Sequence, residues 1–190
     1  GNGLILTALQ VSPKPESGTH CGMLVSSSEH FCRKLSTYLF HPERGLQNSR
    51  FTINIDGKGY GPDYDKSTIR WEYPGNVPTI VIEWNAGGCA VREELMCPIN
   101  DSALVRTVTV QNKSSVALQG TGSILLYPNL MFFDEYHVDR EKGTLAATGY
   151  AAMEMFCLNE ATPGDRHLNI LFGDIPAGGK KTSTVVLTLN

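Results

Sequence analysis

The sequence has little charge, no block of basic residues and no long apolar run. Charged residues make up 18% of the 190 residues, below the roughly 25% of average soluble domains, and the formal net charge is -3. Domains that bind nucleic acid are typically basic, so this charge argues against nucleic acid as a partner. No apolar stretch approaches the roughly 18 residues of a membrane-spanning helix, and we expect no membrane partner.

The cysteines lack both the spacing of a zinc site and the even number of a disulfide framework. None lies in a C-x-x-C pair, the close spacing that is typical of structural zinc sites. An odd, sparse set also argues against a disulfide framework. We therefore expect no metal site and no disulfide, only plain thiols, at the five cysteines: Cys21, Cys32, Cys89, Cys97 and Cys157. Plain thiols are typical of a reducing compartment, so we expect the protein in the cytoplasm.

Common catalytic and cofactor signatures are also missing. The histidines do not have H-E-x-x-H spacing, and neither a G-x-S-x-G elbow nor a nucleotide-binding glycine motif precedes a helical pattern. The glycines between Gly57 and Gly61 superficially resemble a phosphate loop, but they follow a strand and an Asp-Gly turn. This context predicts a hairpin loop. We therefore expect no cofactor.

Two acidic pairs, Glu93–Glu94 and Asp134–Glu135, are candidates for paired carboxylates. Adjacent residues on a strand point to opposite faces of the sheet. Neither pair could therefore hold two carboxyl groups across one sugar, as glycoside hydrolysis requires. We interpret these residues as solvated strand charges, and we assign no catalytic residue.

The sequence does contain short alternating runs separated by turn residues. Phe51, Ile53 and Ile55 alternate with polar residues and end at Asp56-Gly57. Similar runs are Ile80 to Trp84, Val108 to Val110, Gly120 to Tyr127 and Val185 to Leu189. This pattern predicts an all-β fold, an antiparallel β-sandwich that forms a single domain over residues 1–190. The segment Glu29–Phe40 fits both a helix and a strand, and we favour the strand, leaving at most one short helix.

Aromatic residues are interspersed with polar residues in segments that we assign to loops. Tyr60, Tyr64 and Trp71 are the candidates for contact with carbohydrate or with another protein surface. An exposed aromatic ring offers an apolar face on which a sugar ring can stack. Trp84 lies within an alternating run, and we place it in the core.

Three stretches resemble one family. Leu104, Arg106 and Asn112 fit an L-x-R-x-x-x-x-x-N strand that follows an acidic residue and a proline, and a second strand ends in L-L-Y-P-N. Residues 175–179, I-P-A-G-G, resemble a turn before a final strand. Residues 33–38, 50–53 and 60–62 are similar to the phosphorylase members of the family. Together they resemble the N-terminal β-supersandwich, a galactose mutarotase-like domain, of glycoside hydrolases and phosphorylases with a helical six-hairpin toroid.

The resemblance implies a non-catalytic accessory domain. In that family the catalytic acid and base lie in the helical toroid, which is absent from this sequence. The resemblance therefore implies that the chain is the N-terminal part of a larger carbohydrate-active enzyme. It would pack on the helical catalytic domain of the same parent chain and contact carbohydrate. A second copy of the chain is a further candidate partner.

Two alternatives stay open. The first is a free-standing carbohydrate-binding module, which would use the loop aromatics. The second is a small sugar epimerase or mutarotase, which needs a histidine and a carboxylate for proton transfer. His137 with Glu135 or Asp139 is the nearest such set in the sequence.

Overall fold

A computed structural model describes residues 5–11, 19–25, 49–126, 133–149 and 152–189. These residues form strands and two short 3-10 helices, Tyr64–Lys66 and Pro74–Asn76. The strands, in chain order, are β1 (Ile5–Val11), β2 (Thr19–Val25), β3 (Ser49–Ile55), β4 (Lys58–Tyr60), β5 (Thr68–Glu72), β6 (Thr79–Ala86), β7 (Cys89–Met96), β8 (Ala103–Asn112), β9 (Leu118–Leu126), β10 (Phe133–Asp139), β11 (Thr144–Gly149), β12 (Ala152–Cys157), β13 (Ala161–Pro163), β14 (His167–Ile175) and β15 (Lys180–Leu189).

The strands form two antiparallel sheets. The first sheet has the order β1-β2-β3-β9-β14-β13, with β4 paired to β3. The second sheet has the order β10-β11-β12-β15-β8-β7-β6-β5, so β5 lies at one edge. The predicted antiparallel β-sandwich is confirmed. The segment Glu29–Phe40 lies outside the described residues.

The core lies between the two sheets and is built by residues that alternate along their strands. Phe51 of β3 and Trp84 of β6 meet across it in an edge-to-face arrangement, with their ring centroids 6.4 Å apart. The predicted core position of Trp84 is therefore confirmed. Buried apolar residues also come from seven further strands, β7, β8, β9, β11, β12, β14 and β15.

The β3–β4 connection is the tight hairpin that the sequence predicts. Ile55 pairs with Lys58, and Asp56 and Gly57 both have positive φ, at 49° and 80°. A two-residue loop with two positive φ values is the geometry that an Asp-Gly pair favours. The glycines that follow therefore belong to a hairpin, as expected, and the resemblance to a phosphate loop has no structural counterpart.

Candidate ligand-binding surfaces

Trp71 is the predicted site residue that the structure exposes most clearly. It lies in edge strand β5, with 57% of its surface exposed, so the assignment to a loop was wrong. Ile69 lies on the same side of the strand, and Tyr73 follows the strand directly with 64% exposed. We call Ile69, Trp71 and Tyr73 the β5 strip.

The two predicted tyrosines differ from Trp71. Tyr60 is half-buried and packs against the core, and the Lys58 ammonium lies 5.5 Å from its ring centroid. Tyr60 also belongs to the first sheet, whereas Trp71 belongs to the second. The backbone of Tyr64 begins a 3-10 helix, but its side chain lies outside the described part. The three residues are therefore not shown to share a surface.

The side of β5 opposite the strip carries a network of charges that extends over β6 and β7. The Arg70 guanidinium donates two hydrogen bonds to the Glu83 carboxylate, at 2.7 and 3.2 Å. Arg92 donates to Glu72 at 2.7 Å and to Glu94 at 3.0 Å. Hydrogen bonds from Arg70 and then Arg92 lower the pKa of Glu83 to about 2. We call these five residues the outer network. Their contacts join β5 to β6 and β7.

A groove of about 430 Å³ lies beside this network on the outer face of the same sheet. Asn85, Ala90, Gln111 and Lys180 form one cross-strand row over β6, β7, β8 and β15. Ala90 is the smallest member of that row and leaves the depression between Asn85 and Gln111. Lys113 also lines the groove. We call the groove lined by these five residues the outer groove.

The outer groove presents polar groups without partners. The side chains of Asn85, Gln111, Lys113 and Lys180 make no hydrogen bond or ion pair with any other residue that the structure describes. None of these four residues was predicted from the sequence as a site residue. The sequence did carry a signal for Gln111. Because Gln111 alternates with buried positions of β8, it must lie on the outer face of the sheet.

Asn112, one of the residues of the family resemblance, holds the turns at this end of the sheet. Its side-chain amide is buried and donates to the carbonyls of Val116, at 2.6 Å, and Ile175, at 2.9 Å. Its carbonyl oxygen accepts from the backbone and the hydroxyl of Ser114. Its backbone N–H donates to the carbonyl of Gly179. Asn112 therefore joins the β8–β9 and β14–β15 turns.

Arg106, a second residue of that resemblance, lies in the core with Glu93. Both side chains are buried, at 2% and 0% exposed, and Arg106 Nε lies 3.9 Å from Glu93 Oε2. Trp84 Nε1 donates to Glu93 Oε1 at 2.9 Å. The interpretation of Glu93 as a solvated charge was wrong, because β7 turns it inward between Val91 and Leu95. Glu94 does lie on the outer face.

The candidate proton-transfer pair lies on an exposed edge strand. His137 Nε2 is 3.2 Å from Glu135 Oε2, and both side chains are more than half exposed. Asp139 instead accepts hydrogen bonds from the backbones of Lys142 and Glu141, and the bond from Lys142 above all lowers its pKa. Neither His137 nor Glu135 lines the outer groove. The pair is therefore largely open to solvent and lies apart from the outer groove.

Cys89 and Cys157 are thiols that are not joined in a disulfide. Cys89 is a buried thiol whose pKa is raised by burial, and the sulfur of Cys157 lies 3.2 Å from the Ser183 hydroxyl. Within the described ranges, no group of three or more potential metal ligands converges. Those same ranges contain no helix with the length and apolar character needed to cross a membrane.

Comparison with solved structures gives distant structural likeness. No protein-family model and no curated protein matches the sequence. A solved structure of a polysaccharide lyase is similar with a TM-score of 0.46 and 9% sequence identity, covering 99% of this chain and 33% of the lyase chain. The chain thus spans about a third of that protein's length. At this identity and TM-score the likeness assigns neither a function nor a site, and the galactose mutarotase-like family stays a prediction.

Proposed function

We propose that this chain is a non-catalytic β-sandwich domain of a carbohydrate-active enzyme and that it contacts carbohydrate through the β5 strip. The observation that carries the proposal is the exposure of Trp71 and Tyr73 next to each other along an edge strand. Exposed apolar residues that form a contiguous patch mark interaction sites more often than isolated ones do. Their flat apolar faces suit the C–H faces of sugar rings.

The outer network supports the proposal because it makes β5 a fixed platform. Arg70 and Glu72 alternate with Ile69 and Trp71, and they tie β5 to Glu83 of β6 and Arg92 of β7. A ligand that stacks on Trp71 therefore meets a strand whose backbone is already ordered. Binding to an ordered surface avoids the entropic cost of fixing a mobile loop.

Binding to a panel of neutral and acidic oligosaccharides, measured by isothermal titration calorimetry, tests the proposal. We expect at least one saturable interaction, weakened about tenfold or more by Trp71→Ala and less by Tyr73→Ala. Leu158→Ala is the matched control, because Leu158 is an equally exposed apolar residue located after β12 rather than in the strip.

Two outcomes would contradict the proposal. One is the absence of heat across the whole panel for the intact chain. The other is binding that Trp71→Ala and Leu158→Ala leave equally strong. If the strip instead binds the helical domain of a parent enzyme, Trp71→Ala will weaken that association and leave oligosaccharide binding unchanged.

A further inference from the structure

The outer groove differs from the β5 strip in both position and chemistry. The row of Asn85, Ala90, Gln111 and Lys180 crosses four strands, which is about 14 Å at the usual strand spacing. Asn85 and Gln111 offer amide donors and acceptors. Lys180, with Lys113 nearby, offers ammonium groups. Lys66 also lines the groove, near β5, but pairs with Asp63 at 3.2 Å. The groove is therefore polar along its length, and the ammonium groups without an acidic partner among the described residues lie towards the β15 end.

The charge of the two lysines is not cancelled by the acidic residue that shares the groove. Glu83 accepts hydrogen bonds from Arg70 at 2.7 Å and from Arg92 at 2.9 Å, and these hold its pKa at about 2. Its carboxylate is thus committed to two guanidinium groups. Lys113 and Lys180 have no acidic partner among the described residues, so this end of the groove attracts an anion.

The backbone that carries these side chains is anchored. The Lys113 N–H donates to Gly88 of the β6–β7 turn at 2.9 Å, and the Asn112 N–H donates to Gly179 at 2.9 Å. Lys180 pairs directly with Gln111 across β15 and β8. Three turns are therefore fastened together at this end, so the backbone that carries these side chains is ordered before a ligand arrives.

We propose that the outer groove binds an acidic sugar chain, with Lys113 and Lys180 on a carboxylate or sulfate group and Asn85 and Gln111 on sugar hydroxyls. This inference rests on the proposed function for the carbohydrate class and narrows that class to acidic glycans. The length and openness of the row suit an extended chain. The sequence also lacks the block of basic residues that is typical of nucleic-acid sites, which disfavours a nucleic acid as the acidic chain.

The test compares the intact chain with Lys113→Gln/Lys180→Gln by calorimetry. The probes are oligogalacturonates for carboxylates, chondroitin sulfate oligosaccharides for sulfates, cello-oligosaccharides as neutral chains, and polyglutamate as an acidic chain without sugar. We expect at least one acidic glycan to bind, and the double variant to raise its Kd about tenfold or more. Raising the salt concentration should weaken wild-type binding, because exposed charges are screened.

The matched control is Lys142→Gln/Lys181→Gln, which removes the same charge. Lys181 is next to Lys180 on β15 but does not line the groove, and Lys142 lies in the β10–β11 turn. We expect the control to change the Kd less than about twofold, because Lys181 alternates with Lys180 to the other side of β15 and exposed charges outside the groove are largely screened. Circular dichroism should show that both double variants keep the strand content of the wild type.

The outcomes separate this inference from the proposed function. If an acidic glycan no longer binds Trp71→Ala but still binds Lys113→Gln/Lys180→Gln, the proposal for the outer groove is wrong and the proposal for the β5 strip is supported. Equal binding of polyglutamate would overturn the assignment to a sugar. If acidic glycans bind only when both lysines are present, and Trp71→Ala leaves all binding intact, the proposal for the outer groove is supported and the proposal for the β5 strip is wrong. No binding of any probe would contradict both.

Discussion

Strand β7 carries charged side chains on both faces, and the two faces hold them in different ways. On the inner face, Glu93 lies fully buried beside Arg106, with 3.9 Å between the nearest charged atoms and one hydrogen bond from Trp84. On the outer face, Arg92 and Glu94 belong to a network whose closest contacts are 2.7 to 3.0 Å and whose side chains are partly exposed.

The difference shows that short distances do not identify the pair that matters most for stability. Water can solvate Arg92 and its partners when a contact breaks, so each outer pair contributes little. Arg106 is almost fully buried, and its three guanidinium nitrogens make no hydrogen bond within the described part of the chain. Removing the nearby negative charge would leave that guanidinium buried without compensation.

The largest effect is therefore expected from Glu93→Gln. The glutamine retains an oxygen that can accept the Trp84 hydrogen bond and removes only the charge. We expect the free energy of unfolding to fall by about 3–5 kcal/mol, the usual cost of breaking a buried ion pair from one side. Denaturant unfolding followed by Trp fluorescence measures this change.

A double variant shows whether the loss comes from the orphaned charge. Glu93→Gln/Arg106→Met replaces the guanidinium by an apolar chain of similar length, so the buried charge disappears. Most of the stability lost in Glu93→Gln should then return. A cost below about 1 kcal/mol for Glu93→Gln, or a double variant less stable than the single, would show that Glu93 does not compensate a buried Arg106.

Asn112→Ala should have the next largest effect, although it removes no charge. Its amide satisfies the carbonyls of Val116 and Ile175 in a buried position. Leaving these groups unpaired should cost about 2–3 kcal/mol, measured by the same unfolding curves. Asn85→Ala is the control, because Asn85 is exposed and should change stability by less than about 0.5 kcal/mol. Equal effects for the two asparagines would contradict the anchoring role.

Local sequence patterns predicted much of the fold. The alternation of Phe51, Ile53 and Ile55 and the Asp56-Gly57 turn identify β3 and its hairpin, because period-two burial and positive φ are local properties. The same alternation of buried and exposed positions, applied to β7, would have placed Glu93 on the inner face with Val91 and Leu95. The strands β1, β2, β5 and β11 to β14 were not identified. In β5 the alternation of Ile69 and Trp71 with polar residues was present but was assigned to a loop.

The candidate sites were harder to predict for a geometric reason. The outer groove joins Asn85, Ala90, Gln111 and Lys180, whose strands become neighbours only through the sheet order β15-β8-β7-β6. Local sequence patterns do not show the order of the strands in the sheet or which residues pair across them. The exposure of Trp71 likewise depends on β5 being an edge strand, which no local pattern reveals.

The smallest effect is expected on the outer face, at Glu83. Its pKa is lowered from the ordinary 4.5 to about 2 by hydrogen bonds from Arg70 and Arg92, so ionised Glu83 stabilises the folded state above about pH 4.5. That contribution should be lost as the pH falls from 4.5 towards 2. Because these side chains are partly exposed, we expect Glu83→Gln to cost no more than about 1 kcal/mol at pH 7.

The pH and salt dependence of Glu83→Gln distinguishes the two faces. The difference in unfolding free energy between wild type and Glu83→Gln should shrink below pH 4.5, and also in 1 M salt at pH 7, where the Debye length is about 3 Å. The cost of Glu93→Gln should survive the same salt, because a buried pair is screened far less. If salt weakens both effects equally, water reaches Glu93 and Arg106 as freely as it reaches Glu83, and the contrast between the faces of β7 is wrong.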